Sequence, residues 1–483
     1  MNLFSSLGLA IALACTSSAF AGGSGHKDAP ATSSEASAPS ATATPIATAP
    51  APVAAPEALL DTTLDNGLRV VIQPDHRAPI AMVQMWYRVG SIDEPTGKSG
   101  LSHLLEHMMF KGTPTVPAGQ FSFKTSKIGG YTNAATTQDY TYYYNQLPAA
   151  KLPEVLALEA DRMQHLTFDP ELFKREKAVV EEERHWRVDD NSWGEFTEKL
   201  AAATLKTHPY RNPVLGWPAE FDTITLDDTR NWYQAWYAPN NAVLVILGDV
   251  NPQAALAEAK KQFGAIAAKT LPERVKTDEP AQTKQQKLTI PVPADRATVV
   301  LRWRVPTLTP GQTDRRPYTL MMLANMLNND PYVVDSRLSD VADEVGALYD
   351  SMGRSFGEFT VWATPSKGKS AEDVASAMLT QASHLRSVSL HQENLDNGKL
   401  NWAASQAFSN DKMSERATAI GQRLIYGFPA NFDLTELAEI QKVTLNDIEN
   451  TADQLLDDNT VTVGILQPTP RDPKAKKGAI HVR

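Results

Sequence analysis

The chain has 483 residues, 42% of them hydrophobic, enough to bury substantial cores, and at roughly 150 residues per domain it divides into two to four units. Its 56 Asp and Glu outnumber 46 Lys and Arg, and the resulting formal net charge of −10 argues against nucleic acid or anionic membranes as general partners. The only cysteine, Cys15, lies in the N-terminal segment, so the folded part contains neither disulfides nor a thiol nucleophile.

Leu7 to Ala14 is an apolar run, and Ala19-Phe20-Ala21 supplies the small-x-small pattern that a signal peptidase accepts. Residues 1–21 are therefore expected to be a signal peptide cleaved after Ala21, which places the mature protein in the bacterial periplasm, although Met1 to Ser6 lack the usual positive charge. Ala12-Leu13-Ala14 before Cys15 resembles a lipoprotein cleavage box; lipidation at Cys15 is the alternative and the one route to a membrane anchor. Residues 22–57 are almost entirely Ala, Pro, Ser, Thr and Gly, a composition that buries too little apolar surface to order itself, and read as a disordered linker.

Order is expected from about Leu59. The stretch Leu64-Asp65-Asn66-Gly67-Leu68 carries a turn signal and Val70, Val71 and Ile72 follow as a strand, so a hairpin opens the fold. Ala81 to Val89 alternates, with Val83, Met85, Tyr87 and Val89 on one side and Gln84, Trp86 and Arg88 on the other, the pattern of a half-buried strand. A helix follows over Gly100 to Phe110, then a β-prone run at Tyr140 to Tyr144, an amphipathic helix over Leu152 to Met163 and another from Pro170 to Arg187. Ala242 to Leu247 reads as a buried strand and Pro252 to Phe263 as a helix. This first unit, 58–270, gives way to a polar linker, 271–290. The second unit, 291–483, begins with strand Thr298 to Val305, a helix through Met321, Leu323 and Met326, and a strand at Phe359 to Ala363. The repeated order of strands and helices implies an α+β fold of two similar halves, each a mainly antiparallel sheet covered by helices.

His103-Leu104-Leu105-Glu106-His107 falls inside the first of these helices. Residues at i and i+4 share a helical face, so two imidazoles can reach one Zn²⁺ at about 2.0–2.1 Å. Glu106 projects toward the same space and is the candidate general base, because a carboxylate that bound the metal could not also take a proton from water. A hydrolytic zinc needs a third protein ligand, for which Glu183 on the acidic stretch Arg175 to Glu183 is the candidate. Glu176, two turns earlier on nearly the same face, is placed to hydrogen-bond a ligating histidine. One zinc ion per chain is expected.

The stretch Gly100-Leu101-Ser102-His103-Leu104-Leu105-Glu106-His107-Met108-Met109-Phe110-Lys111-Gly112-Thr113 resembles the inverted zinc motif of the pitrilysin, insulin-degrading enzyme and mitochondrial processing peptidase family. The spacing to Glu183, Asn133-Ala134-Ala135-Thr136-Thr137 leading into Tyr140, His208-Pro209-Tyr210, and Tyr237-Ala238-Pro239-Asn240-Asn241 running into Gly248-Asp249 match as well. The resemblance implies zinc ligands at His103, His107 and Glu183, a base at Glu106, a supporting carboxylate at Glu176, and a zinc endopeptidase that cleaves peptides or unfolded segments. It also implies an extended substrate added to a sheet edge near Asn133 and Ala134. In long members an Arg and a Tyr from the C-terminal half complete the site, whereas this chain is equivalent to half of such a protein. A partner chain lacking the zinc motif, or a homodimer, is the corresponding expectation, and a non-catalytic assembly subunit of the same fold is the alternative to a peptidase. His185 points away from the metal face and is expected at the surface. His384 and His391 have no ligand at metal-binding spacing, so the second half is read as non-catalytic. Trp86, Trp236 and Tyr237 are expected in cores.

Overall fold

Strand β1 (Leu60–Thr63) turns back antiparallel to β2 (Arg69–Pro74), the expected opening hairpin, in a computed structural model that describes residues 58–385 and 390–470. The expected signal peptide, the 22–57 linker and Cys15 lie outside the described residues. The first sheet continues with β3 (Ile80–Tyr87), β4 (Tyr131–Thr136), β5 (Thr141–Pro148) and β6 (Ala242–Gly248), in the order β1-β2-β6-β3-β5-β4. Only the β2–β6 pair is parallel. Its principal helices are α1 (Leu101–Met108), α2 (Gln120–Lys127), α3 (Leu152–His165), α4 (Pro170–Arg184), α5 (Ser192–Thr204), α6 (Leu226–Trp236) and α7 (Pro252–Phe263).

The second sheet, of β7 (Gln286–Pro293), β8 (Thr298–Val305), β9 (Ala342–Tyr349), β10 (Gly357–Pro365) and β11 (Thr462–Thr469), has the order β7-β11-β8-β10-β9. The β7–β11 pair is parallel and the others antiparallel. With β2 to β6 matched in turn to β7 to β11, the two sheets have one topology, so the two halves are alike in strand order, as the repeated pattern implied. The principal helices of the second half are α8 (Arg316–Asn329), α9 (Ala371–Leu385), α10 (Gln392–Asp411), α11 (Met413–Ile425) and α12 (Leu445–Leu455). β7 starts inside the 271–290 stretch read as linker, because Leu288, Ile290 and Val292 alternate along an edge and pair beside β11.

On one face of the first sheet Val83, Met85 and Tyr87 join Leu104, Leu105, Leu156 and Trp236 in a single apolar core. The alternation of β3 suggested that its other face meets solvent, yet Gln84 and Trp86 are buried too. The cover comes from the second half: Gln84 Nε2 donates to Thr418 Oγ1 at 2.9 Å, and Arg88 Nε donates to the carbonyl of Ile425 at 3.0 Å, both on α11. The relation is reciprocal, since Phe196 and Leu200 of α5 pack with Ile290, Val292, Val300 and Leu466 of the second sheet. Trp86, Trp236 and Tyr237 are buried, as their residue types suggested.

Gly421 on α11 is the point of closest approach. A Cβ there would lie 2.2 Å from Trp86 Cε2 and Nε1, and that indole is stacked on Tyr142 at 4.2 Å and cannot yield. Gly421→Ala gains about 1 kcal/mol of helix propensity but incurs about 1–3 kcal/mol of overpacking. The expected outcome is a lower melting temperature by calorimetry; an unchanged or higher one would show that the two halves are not clamped at this contact.

Candidate metal centre

Helix α1 is anchored at its start by Glu94, whose Oε2 accepts from Gly100 N–H at 2.9 Å and whose Oε1 accepts from Ser102 N–H at 2.7 Å. Two backbone donors that a helix N-terminus leaves unpaired are thereby satisfied. The apolar stripe of Leu101, Leu104, Leu105 and Met108 then turns into the core, leaving His103 and His107 on the facing side, where α4 brings up Glu183 and Glu176.

His103 Nε2 lies 3.7 Å and His107 Nε2 3.2 Å from the same oxygen, Glu183 Oε2. Ligands about 2.0–2.1 Å from a tetrahedral ion stand about 3.3 Å from one another, so these three atoms fit the zinc expected from the motif. They form a group that could hold a metal ion, the only such group of three or more among the described residues. Burial drives the His103 imidazole down to about 3, the neutral form that a metal ligand requires. Burial pushes the Glu183 carboxyl up, but His103, His107 and Arg187 around it outweigh that and hold it well below the usual range, ionised.

Glu106 is not in this group. It is buried, which raises its carboxyl above the ordinary value, and its Oε2 accepts a hydrogen bond from Thr136 Oγ1 at 2.5 Å. Glu176 Oε2 stands 3.3 Å from His107 Nδ1, and its Oε1 meets Lys111 Nζ at 2.7 Å. A carboxylate on Nδ1 fixes the tautomer that turns the lone pair of Nε2 toward Glu183. Asn133 and Ala134 lie on β4, the outer strand of the sheet. Ala134 is buried, with its side chain in the core, while the Asn133 amide donates to Tyr131 Oη at 3.0 Å.

Three contacts were missed in reading the sequence: Thr136 on Glu106, Lys111 on Glu176, and Arg187, whose Nη2 meets Glu183 Oε1 at 2.7 Å. Lys111 and Arg187 each stand four residues after a site residue, the helical spacing that could have flagged them; nothing local marks Thr136. Beyond Arg184 the expected helix continues to Asp189 as a π-turn. His185 is exposed and paired with Asp189, as its position implied. His384 does meet a carboxylate, Asp335 at 2.7 Å, but belongs to no ligand group among the described residues. In the second half, α8 and α10 pack through Met322 and Met326 against the bare backbone of Gly398, where a Cβ would lie 2.7 Å from Met326 Cγ. By their order after the matching strands α8 and α10 correspond to α1 and α4, and the contact between them is made by methionine rather than imidazole.

Two imidazoles and one ionised carboxylate, beside a second carboxylate left out of the donor set, make the kind of site that zinc hydrolases use. The profile described as "Insulinase (Peptidase family M16)" matches residues 69–217, and that described as "Peptidase M16 inactive domain" matches residues 223–401. The chain belongs to peptidase family M16. The Helicobacter pylori zinc protease PqqE is 36% identical over 205 residues, 42% of this chain and 46% of that protein, so the match spans less than half of that relative's length. The uncharacterized zinc protease YmxG of Bacillus subtilis is 26% identical over 418 residues, covering 85% of this chain and 98% of that one. Among solved structures, a protease from Helicobacter pylori has a TM-score of 0.78 at 26% identity, covering 86% of this chain and all of that one. The periplasmic protease PqqL from Escherichia coli shares the fold, with a TM-score of 0.73 at 20% identity over 86% of this chain and 49% of that one.

Proposed function

We propose that the chain is a zinc endopeptidase in which His103, His107 and Glu183 hold one zinc ion and Glu106 is the general base. The observation that carries this reading is the convergence of two imidazole nitrogens on one oxygen of Glu183, with Glu106 buried next to them but outside the donor set. Zinc, when bound there, would polarise the scissile carbonyl and lower the pKa of water toward about 7. Glu106 takes the proton from the attacking water and delivers it to the leaving amine, and the Thr136 hydroxyl holds its carboxylate in position between the two transfers. Glu176 and Lys111 keep His107 in the ligating tautomer. The outer strand β4, with Asn133 and Ala134, takes an extended peptide or unfolded segment by strand addition, which presents one bond to the site and requires no folded epitope.

Residues 58–270 form the catalytic half in this reading and 291–483 a non-catalytic half, in keeping with the methionine packing at Gly398. Export to the periplasm is proposed from the N-terminal segment and supported by the periplasmic protease PqqL among the relatives; no described helix is long and apolar enough to cross a membrane. A second chain, either a copy or a zinc-free homologue, completes the cavity; recovery of a fully active monomer would count against that part.

The test is metal content together with cleavage of a quenched fluorescent peptide library before and after chelation. Zinc near one per chain, with cleavage lost on chelation and restored by zinc, is expected. Protein that carries no metal and binds none would refute the reading.

A further inference from the structure

We propose that Arg187 is a positioning residue that makes Glu183 a one-oxygen ligand; the inference rests on the zinc site proposed above. The two oxygens of Glu183 are divided between partners. Oε2 faces both imidazoles, at 3.2 Å from His107 Nε2 and 3.7 Å from His103 Nε2, whereas Oε1 is held by Arg187 Nη2 at 2.7 Å. A carboxylate with both oxygens free can chelate an ion. The second oxygen would then add beside the water and take the ion from four-coordinate to five-coordinate, crowding the position where water is activated. A guanidinium suits the task, because it stays charged at any physiological pH and its fixed fork directs a short, charge-assisted bond to one oxygen.

The backbone around Arg187 is built for the contact. Arg187 sits in the middle of the π-turn His185–Asp189, closed by a hydrogen bond from Asp190 N–H to the carbonyl of His185 at 2.8 Å. Such single wide turns inside helices are rare and recur at functional sites. The turn is pressed into place by the first turn of α5, where Gly194 lies so close that a Cβ would stand 2.3 Å from the Arg187 carbonyl oxygen. The Asn191 side chain fixes that first turn by accepting from Trp193 N–H and Gly194 N–H, both at 3.1 Å. Glu183 and Arg187 keep only 17% and 27% of their side-chain surface exposed, so this pair is shielded more than the usual exposed helix pair.

The experiment uses the full chain with cobalt(II) in place of zinc, comparing wild type, Arg187→Met and Arg187→Lys by visible absorption, with thermal unfolding of the metal-free proteins alongside. Wild type is expected to give the intense bands of a four-coordinate ion. Arg187→Met is expected to lose most of that intensity as Glu183 chelates and the ion becomes five-coordinate, with the unfolding temperature unchanged. Arg187→Lys, which keeps a cation within reach of Oε1, should recover the four-coordinate spectrum. If Arg187→Met does not fold, Arg187→Gln, which keeps two of the three methylenes and a polar end but has neither the charge nor the reach of Nη2, is expected to show the same loss. A variant spectrum identical to wild type, or a five-coordinate wild type, overturns the proposal while leaving the zinc site intact. A wild type that takes up neither cobalt nor zinc overturns the site itself.

Discussion

Replacing Glu106 by Gln is expected to lower kcat for peptide cleavage by about 10²–10⁴-fold while leaving zinc near one per chain. The amide has the shape of the carboxylate and its Oε1 can still accept from the Thr136 hydroxyl, so the pocket is undisturbed. What is lost is the ability to take a proton. Metal content is spared because the three converging donors belong to His103, His107 and Glu183. Activity on the fluorescent peptide and zinc by atomic spectroscopy, measured on the same preparation, separate the alternatives. Cleavage within a few-fold of wild type would mean that the base is elsewhere, and loss of zinc would mean that Glu106 is itself a ligand.

The second large effect lies on α3 and is one of stability. Arg162 is 1% exposed and forms a two-pronged pair with the fully buried Glu159, at 2.8 Å through Nε and 2.5 Å through Nη2. Its guanidinium sits 4.2 Å from the centre of the Phe121 ring and 4.3 Å from that of Tyr143, and Asn145 Nδ2 gives Glu159 a further hydrogen bond at 2.6 Å. Arg162→Met leaves the carboxylate without a counter-charge in the core, and removal of one partner of such a pair costs about 3–5 kcal/mol. The expected result is a large drop in the guanidinium midpoint. Glu159→Leu combined with Arg162→Met should recover most of it, since an apolar pair of similar volume carries no charge to be desolvated. If the double variant is as unstable as the single one, the pair matters for its packing with Phe121 and Tyr143 more than for its charges.

The helical part of the site was legible because its geometry is local. The i, i+4 spacing of His103 and His107 needs only a helix, and Glu176 and Glu183 share a face of another. What periodicity could not reveal were contacts made by the fold: Thr136 arrives beside Glu106 from a strand on the sheet edge, and Lys111 meets Glu176 only because α1 and α4 pack side by side. Arg187 stands at a helical interval from Glu183, but the π-turn that holds it has no pattern in hydrophobicity. The strand β3 shows the same limit from the other direction. Its alternation was read correctly, yet the polar-looking face is buried because Gln84 and Trp86 find partners on a helix more than 330 positions later.

That exchange of helices has a consequence for how the chain comes into being. While the ribosome still holds the C-terminal part, the first sheet is missing its lid, and Trp86 remains uncovered until Gly421 has emerged. The second sheet, for its part, needs Phe196 and Leu200, which were made long before it. Folding of the halves should therefore finish together. A chain severed in the irregular stretch 264–285 should yield two fragments that are each poorly soluble alone and that regain structure when mixed.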